Sequence, residues 1–398
     1  MTGRGHAKGA ATRLIHAGGA RGARTVGPAI ERGSTVIVPS AAALYDETSV
    51  TYGRAGLGVQ EFLAEALADL EGAATVRLFP SGLAAVTGAM LAVLKAGDEV
   101  LVTDAVYKPT RRFCANALAR FGVSVRYFEP SIGAEDLIAM AGPATRMIVL
   151  ESPGSLTFEM QDIPAIARLA RARGALTLMD NTWAAGLWFK PLDHGVDLSV
   201  QALTKYVGGH SDVFMGSVAT ADAALGAALD HAVWDFGWSV SPDDAYQMLR
   251  GLRTLAVRLE RHFASALAVA EWLKDQPQVT EVIYPALPAA RGHDLWRRDY
   301  TGAAGLFSFV LQPSSESAMH GFLDALGVFR LGYSWGGFES LAIHGDPQFG
   351  VRTYPPRFAG PLIRLSIGLE DPQDLIADLT RGFAALAVAE AVGDPGRT

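Results

Sequence analysis

Short apolar runs alternate with helix-like segments between residues 61 and 203, and this alternation constrains the fold more than any other feature of the chain. The runs that predict strands are 75–79, 99–103, 123–128, 146–151, 175–180 and 197–203. The segments that predict helices are 61–70, 83–95, 111–121 and 164–173. Strands that alternate with helices form a mostly parallel sheet with helices on both faces. The sequence therefore predicts an α/β domain, in which ligands bind beyond the carboxyl ends of the strands.

The pattern changes after residue 240, where a second, smaller α+β domain is predicted. Its elements are a long helix over 245–272, strands at 279–284, 306–311 and 361–367, and a helix from about 372. Residues 1–47 show little periodicity, and we interpret them as an extended arm that lies on a partner subunit. The predicted organisation is an arm at 1–47, a large domain at 48–245 and a C-terminal domain at 246–398.

Charge and composition argue against several classes of protein. The net charge of −7 argues against the basic surface that binding to a nucleic acid requires. Cys114 is the only cysteine, which excludes an internal disulfide and a cysteine metal cage, and no metal site is predicted. The longest nearly apolar run, 83–94, is shorter than the roughly 20 residues of a membrane span, and no signal peptide is recognised. We therefore expect a cytoplasmic protein whose partner is a small molecule.

A lysine and a carboxylate follow two of the predicted strands. Lys205 lies with Thr204 after the strand at 197–203, and a glycine pair at 208–209 lets the backbone turn tightly. Asp180 ends the strand at 175–180. Pyridoxal phosphate (PLP) chemistry needs this pair, because the lysine forms the Schiff base and the acid keeps the pyridine nitrogen protonated. A lysine after a strand is commonly a solvated loop residue, so the prediction depends on Asp180 and on an anion site.

That anion site is predicted where the strand at 75–79 meets the next helix. Ser81, Gly82 and Leu83 stand at this junction, and their backbone N–H groups at a helix N-terminus attract a phosphate. An ordinary strand-to-helix loop is the alternative. The junction is neither a P-loop nor a GxGxxG fingerprint.

Four further positions could contact a cofactor or substrate. Tyr52 and Arg54 are two residues apart, would project on one side of an extended chain, and suit a phosphate clamp that reaches a neighbouring subunit. Tyr107 follows the strand at 99–103 and could stack on a flat ring or simply pack. Arg364 stands among apolar strand residues, where it could bind a substrate carboxylate or an internal acid.

Residues 332–336 match the G-x-S-x-G nucleophile elbow of serine hydrolases, with Ser334 as the nucleophile. His344 and Asp346 follow. The elbow belongs between a central strand and a helix, with Asp before His, and neither condition is met here. A hydrolase is therefore the remote alternative.

Taken together, these segments resemble the Cys/Met-metabolism family of PLP enzymes and, within it, the cystathionine β-lyases, over nearly the whole chain. The matching segments are 52–54, 80–85, 107–110, 151–155, 180–183, 204–206, 209–212, 333–340 and 363–371. Trp335 is informative, because the γ-acting relatives usually have a smaller residue there. The resemblance implies a fold-type-I, aspartate-aminotransferase-like subunit with a seven-stranded sheet, in a homotetramer built from dimers.

The resemblance also implies a role for each site residue. Lys205 would bind PLP and shuttle the proton, Asp180 would pair with the pyridinium nitrogen, and Tyr107 would stack on the ring and take part in catalysis. The residues expected to bind the phosphate are Gly82, Leu83, Thr204 and, from the neighbouring subunit, Tyr52 and Arg54. The residues expected to bind the substrate are Arg364, Ser334, Trp335 and Tyr52. The implied reaction is β-elimination that releases a thiol such as homocysteine, pyruvate and ammonia, in methionine biosynthesis.

Several segments depart from the family pattern. These are 55–60, 184–186, 207–209 and the unusually aromatic stretch 234–238. Because they lie close to the predicted cofactor residues, the substrate could differ from cystathionine. The alternative function is a specialised γ-eliminating or γ-replacing PLP enzyme that acts on another amino acid, for example a halogenated one.

Overall fold

The computed structural model describes residues 8–17, 25–46 and 49–393. The chain divides into two compact units, one of Met1–Lys95 and Leu178–Val257 and the other of Ala96–Thr177 and Arg258–Thr398. Parts of the predicted arm lie outside the described residues. The predicted domain borders at 48 and 246 stay a prediction.

The described part of the chain contains twelve strands and twelve α-helices, together with short 3-10 turns and one π-helix. The strands are β1 (Thr75–Phe79), β2 (Glu99–Thr103), β3 (Ser124–Phe128), β4 (Thr145–Glu151), β5 (Leu176–Asp180), β6 (Leu198–Gln201), β7 (Gly216–Thr220), β8 (Val279–Ile283), β9 (Leu306–Leu311), β10 (Arg330–Leu331), β11 (Leu341–His344) and β12 (Leu362–Ser366). The helices are α1 (Ala10–Ile15), α2 (Gly58–Glu71), α3 (Gly82–Val93), α4 (Lys108–Phe113), α5 (Ala134–Ala139), α6 (Ile163–Ala172), α7 (Ala223–Asp235), α8 (Pro242–Arg253), α9 (Leu255–Lys274), α10 (His293–Asp299), α11 (Glu316–Asp324) and α12 (Pro372–Gly393).

In the first unit, the strands stand in the order β1, β7, β6, β5. β5 and β6 are parallel, whereas β7 is antiparallel to both of its neighbours. β7 was not predicted. It passes close beneath the start of α3, where a Cβ on Gly216 would lie 2.5 Å from the Ser81 carbonyl oxygen. The small residues of β7 therefore permit a close approach between this strand and the predicted anion site.

In the second unit, β2 lies between β4 and β3 and is parallel to both. A separate five-stranded sheet has the order β10, β11, β12, β9, β8. β12 is antiparallel to both of its neighbours, and its five residues are all buried. This sheet therefore holds Arg364 inside the unit rather than on its surface.

The predicted fold class is confirmed: the protein is α/β, with a mixed, mostly parallel sheet of seven strands and a smaller second sheet. The single helix predicted over 245–272 is wrong, because α8 ends at Arg253 and α9 begins at Leu255. Between them the Thr254 hydroxyl donates to the Gly251 carbonyl at 3.1 Å, which closes the end of α8. The helix predicted over 111–121 begins earlier, at Lys108, and continues as a π-helix over Cys114–Leu118. Within the described ranges, no helix is both long and apolar enough to serve as a membrane span.

Candidate active site

Lys205 lies in a tight turn at the carboxyl end of β6. The turn is closed by backbone hydrogen bonds from Lys205 to Ala202 at 3.0 Å and from Gly208 to Leu203 at 2.8 Å. Gly209 then adopts a φ of 69°, a left-handed conformation that favours glycine, and its N–H donates to the Lys205 carbonyl at 2.8 Å. Hydrogen bonds within the turn therefore fix the backbone around the lysine.

Asp180 ends β5, the parallel neighbour of β6, so the carboxylate and Lys205 follow adjacent strands at the same edge. Burial raises the pKa of Asp180, while hydrogen bonds from Thr182 and the charge of Lys205 act in the opposite direction. The Asp180 Oδ1 accepts from the Thr182 backbone N at 3.0 Å and from its Oγ1 at 2.5 Å. A cation that contacts this buried carboxylate would be strongly favoured.

Thr182 links Asp180 to the segment that carries Lys205. Its hydroxyl donates to Asp180 and accepts a hydrogen bond from the Ala202 backbone N at 2.9 Å. No role was predicted for Thr182 from the sequence. Its position two residues after a candidate acid could have indicated this role, because Thr side chains commonly form hydrogen bonds to nearby backbone and carboxylate groups.

The anion site is predicted at the N-terminus of α3. The Ser81 Oγ caps the helix by accepting from the Ala84 N at 3.1 Å. A Cβ on Gly82 would lie 2.4 Å from the Ala202 Cβ, so glycine allows the first turn of α3 to pack against the segment before Lys205. The backbone N–H groups of Gly82 and Leu83 stand in this first turn, where a helix leaves its donors unpaired. The lysine turn and the start of α3, where the anion site is predicted, are thus close to each other in the first unit.

The Thr204 hydroxyl group holds this residue within the lysine turn by both donating and accepting a hydrogen bond. Its Oγ1 donates to the Met215 carbonyl at 3.1 Å and accepts from the Met215 N at 3.0 Å. These contacts attach the turn to the residue that precedes β7. The predicted contact of Thr204 with a phosphate stays a prediction.

Tyr52 and Arg54 lie on a different part of the first unit. Tyr52 is extended, but Arg54 stands in a 3-10 turn over Gly53–Ala55, so the assumption of a continuous extended chain is wrong. Glycine is required at the start of this turn, because a Cβ on Gly53 would lie 1.9 Å from the Gly33 carbonyl oxygen. Tyr52 is exposed and Arg54 is half-buried.

Arg54 contacts Trp234, a residue for which no role was predicted from the sequence. The Arg54 Nη1 donates to the Trp234 carbonyl at 3.1 Å, and the guanidinium carbon lies 4.4 Å from the centre of the indole ring. In residues 8–17, 25–46 and 49–393, no carboxylate forms an ion pair with Arg54. Its positive charge is consequently available to an anion.

Tyr107 follows β2 in the second unit and precedes α4. Its backbone N donates to the Glu151 Oε2 at 2.8 Å, at the carboxyl end of the neighbouring β4. The ring is exposed, which does not fit packing in a core. Glu151 belongs to a segment that resembles the family, although no role was predicted for it from the sequence.

Arg364 is buried on β12 and shapes the loop that contains Ser334 and Trp335. Its Nη1 donates to the Tyr333 carbonyl at 3.0 Å, and its Nη2 donates to the carbonyls of Gly332 at 3.2 Å and Ser334 at 3.0 Å. The predicted partners of this arginine were a substrate carboxylate or an internal acid, and contacts with backbone carbonyls were not predicted. Ser334 lies between two short strands with no helix after it, so the context of a hydrolase nucleophile elbow is missing.

The chain belongs to the Cys/Met metabolism PLP-dependent enzyme family, whose model matches residues 11–384. Cystathionine β-lyase MetC of Escherichia coli is 44% identical over 94% of this chain and 98% of its own length. Cystathionine β-lyase of Salmonella typhimurium is 42% identical over the same shares of both chains. Among solved structures, cystathionine γ-lyase of Lactobacillus plantarum in complex with L-serine has a TM-score of 0.88 at 31% identity, covering 96% of this chain and 100% of that one. The fold and the dependence on PLP follow from this membership.

Proposed function

We propose that this protein is a PLP-dependent carbon–sulfur lyase that catalyses β-elimination from cystathionine or a related sulfur amino acid, and that it serves methionine biosynthesis. The products are a thiol such as homocysteine, pyruvate and ammonia. The observation that carries the proposal is the placement of Lys205 and Asp180 after adjacent parallel strands, with the N-terminus of α3 packed against Ala202. The β-lyase relatives at 42% and 44% identity support the choice of reaction.

The residues of the first unit fit the cofactor in charge and in donor type. The buried Asp180 carboxylate suits a cationic ring nitrogen, and the N-terminus of α3 suits a phosphate. When bound, PLP supplies an electron sink that weakens the Cα–H bond of an amino acid. Ser81, Gly82, Leu83 and Thr204 are proposed to hold the phosphate.

Lys205 and Asp180 divide the proton chemistry between them. In this proposal, the Lys205 Nζ anchors the cofactor, removes the proton from the substrate Cα and returns a proton later in the cycle. Asp180 keeps the ring nitrogen protonated, because a buried carboxylate gains most from an adjacent positive charge. Thr182 holds the carboxylate in place by donating two hydrogen bonds to one oxygen.

Further residues are proposed to bind the substrate and the cofactor, by analogy with the matching family segments. Arg364 binds the substrate α-carboxylate, assisted by Ser334 and Trp335. Tyr107 stacks on the cofactor ring and assists proton transfer. These roles rest on the matching segments of the family and on the burial of an arginine among apolar residues.

Tyr52 and Arg54 are proposed to act on the site of a neighbouring subunit in a cytoplasmic homotetramer built from dimers, with Tyr52 also near the substrate. The exposure of Tyr52 and the available charge of Arg54 support this assignment. A phosphate clamp shared between subunits makes cofactor binding and assembly mutually stabilising.

A substrate panel tests the reaction. The purified enzyme is incubated with cystathionine, cystine, cysteine, homocysteine and γ-substituted amino acids, and the products are identified by mass spectrometry. We expect pyruvate and homocysteine from cystathionine, with Lys205→Ala as the inactive control. Release of 2-oxobutyrate and cysteine instead would establish γ-elimination and refute the β-lyase assignment.

The γ-acting alternative keeps one observation in its favour, because the solved γ-lyase has nearly the same fold. The departing segment at 184–186 is the place to look for a difference in specificity. A Cβ on Gly186 would lie 2.8 Å from the Gln201 Nε2, so this loop packs tightly against β6. Turnover of a halogenated substrate with no reaction on cystathionine would select this alternative.

A further inference from the structure

The aromatic stretch from Trp234 to Trp238 is anchored to the strand and helix that form the anion site. The Phe236 and Trp238 rings stack with centres 4.8 Å apart, and Trp238 meets Phe79 edge-on at 5.4 Å. Phe79 is the last residue of β1. A Cβ on Gly88, within α3, would lie 3.0 Å from the Trp238 ring, so this tryptophan packs closely on the helix. The stretch is therefore a fixed part of the first unit.

Trp234 stands at the open end of this stretch and is 45% exposed. It makes two different contacts with Arg54: its ring face lies 4.4 Å from the guanidinium carbon, and its carbonyl accepts from Nη1 at 3.1 Å. Stacking on a ring leaves the edge of a guanidinium open, and that edge carries the donors that recognise phosphate. The two contacts orient the cation without neutralising it.

We propose that Trp234 is a positioning residue that holds Arg54 ready for the phosphate of the PLP bound to the neighbouring subunit. The inference rests on the proposed function, in which Arg54 is part of a phosphate clamp shared between subunits. A long arginine side chain loses conformational freedom when it binds, and an aromatic surface that orders it beforehand reduces this cost. Trp234 then acts on cofactor retention through Arg54 and does not itself contact the cofactor.

The test measures the rate at which PLP leaves the holoenzyme after dilution into a PLP trap. Trp234→Leu should accelerate the loss of PLP about 3- to 10-fold, the range expected from removal of a cation–π contact. Trp234→Phe, which keeps an aromatic face, should have a smaller effect. Added PLP should restore turnover of Trp234→Leu, whereas a folding defect would not be rescued in this way.

Phe236→Leu is the matched control, because Phe236 is similarly exposed at 50%, belongs to the same stretch and stacks on Trp238. It should leave PLP retention unchanged. The decisive comparison is with Arg54→Ala: once Arg54 is removed, Trp234→Leu should cause no further acceleration.

The outcomes separate this inference from the proposed function. If Arg54→Ala accelerates PLP loss and Trp234→Leu does not, Trp234 has no positioning role although the clamp stands. Equal effects of Trp234→Leu with and without Arg54 would also overturn the inference. If Arg54→Ala retains PLP normally, the clamp and the inference both fail, and a wild-type protein that binds no PLP would refute the proposed function itself.

Discussion

Replacement of Glu71 by Gln should change how the stability of the protein depends on pH. Glu71 ends α2, is only 1% exposed, and accepts hydrogen bonds from the Ser199 Oγ at 3.0 Å and from the Gln201 Nε2. Burial raises its pKa from 4.5 to about 7, and this effect exceeds the opposite effect of the two hydrogen bonds and of Lys190. Gln keeps the shape of the side chain and can keep both hydrogen bonds but cannot ionise.

The direction of this pH dependence follows from how many protons the folded and the unfolded protein bind. Between pH 4.5 and about 7, the folded protein keeps a proton on Glu71 that the unfolded chain releases. The folded state is therefore most favoured with respect to this group below pH 4.5, and this advantage is lost as the pH rises to about 7. Each pH unit in this window is worth about 1.4 kcal/mol, so the free energy of unfolding falls by about 3 kcal/mol in total. Glu71→Gln should escape this loss and be the more stable protein above the window.

The assay compares urea unfolding of wild type and Glu71→Gln at matched protein and PLP concentrations, since bound ligand and assembly also shift stability. The difference in unfolding free energy should grow across the window, by about 3 kcal/mol, and stay constant above it. Glu61→Gln, on the exposed side of the same helix, is the control and should follow the wild-type curve. Parallel curves for wild type and Glu71→Gln would refute the reasoning.

Three further experiments test the proposed site. Asp180→Asn should retain much of the bound PLP but lower kcat on the order of 100-fold, because no charge then holds the ring proton; unchanged turnover would assign this role to another acid. Arg364→Lys should raise KM more than it lowers kcat, because lysine cannot bind a carboxylate with two parallel hydrogen bonds; a fall in kcat alone would contradict this. Mixed dimers of inactive Arg54→Ala and inactive Lys205→Ala subunits should recover part of the activity, whereas inactivity after demonstrated subunit exchange would show that the clamp is not shared.

Most strands with apolar or β-branched runs could be predicted from the sequence, but β7, β10 and β11 were not predicted. Of these three, β7 is the one that lies beside the candidate site. Its residues include Gly216 and Ala219, which carry little of the usual strand signal. Gly216 leaves room for the start of α3, because a Cβ on this residue would lie only 2.5 Å from the Ser81 carbonyl oxygen. The need for a small residue in this strand therefore comes from a tertiary contact, which a local sequence pattern cannot reveal.

The candidate site was predictable where its chemistry needs an unusual residue type, as at Lys205 and Asp180. The supporting contacts were not predictable, because they join residues far apart in the chain. Thr182, which follows β5, contacts Ala202, which follows the adjacent strand β6. Trp234 contacts Arg54, which lies 180 positions earlier in the sequence. Such contacts depend on the packed fold rather than on spacing in the sequence.

The most direct test of the account is to find which lysine carries the cofactor. The chain has six lysines, which a peptide digest can resolve: Lys8, Lys95, Lys108, Lys190, Lys205 and Lys274. Borohydride reduction of the holoenzyme should fix PLP permanently on the peptide that contains Lys205, as mass spectrometry would show. Modification of another lysine with Lys205 unmodified, or no modification of a fully loaded enzyme, would contradict the account.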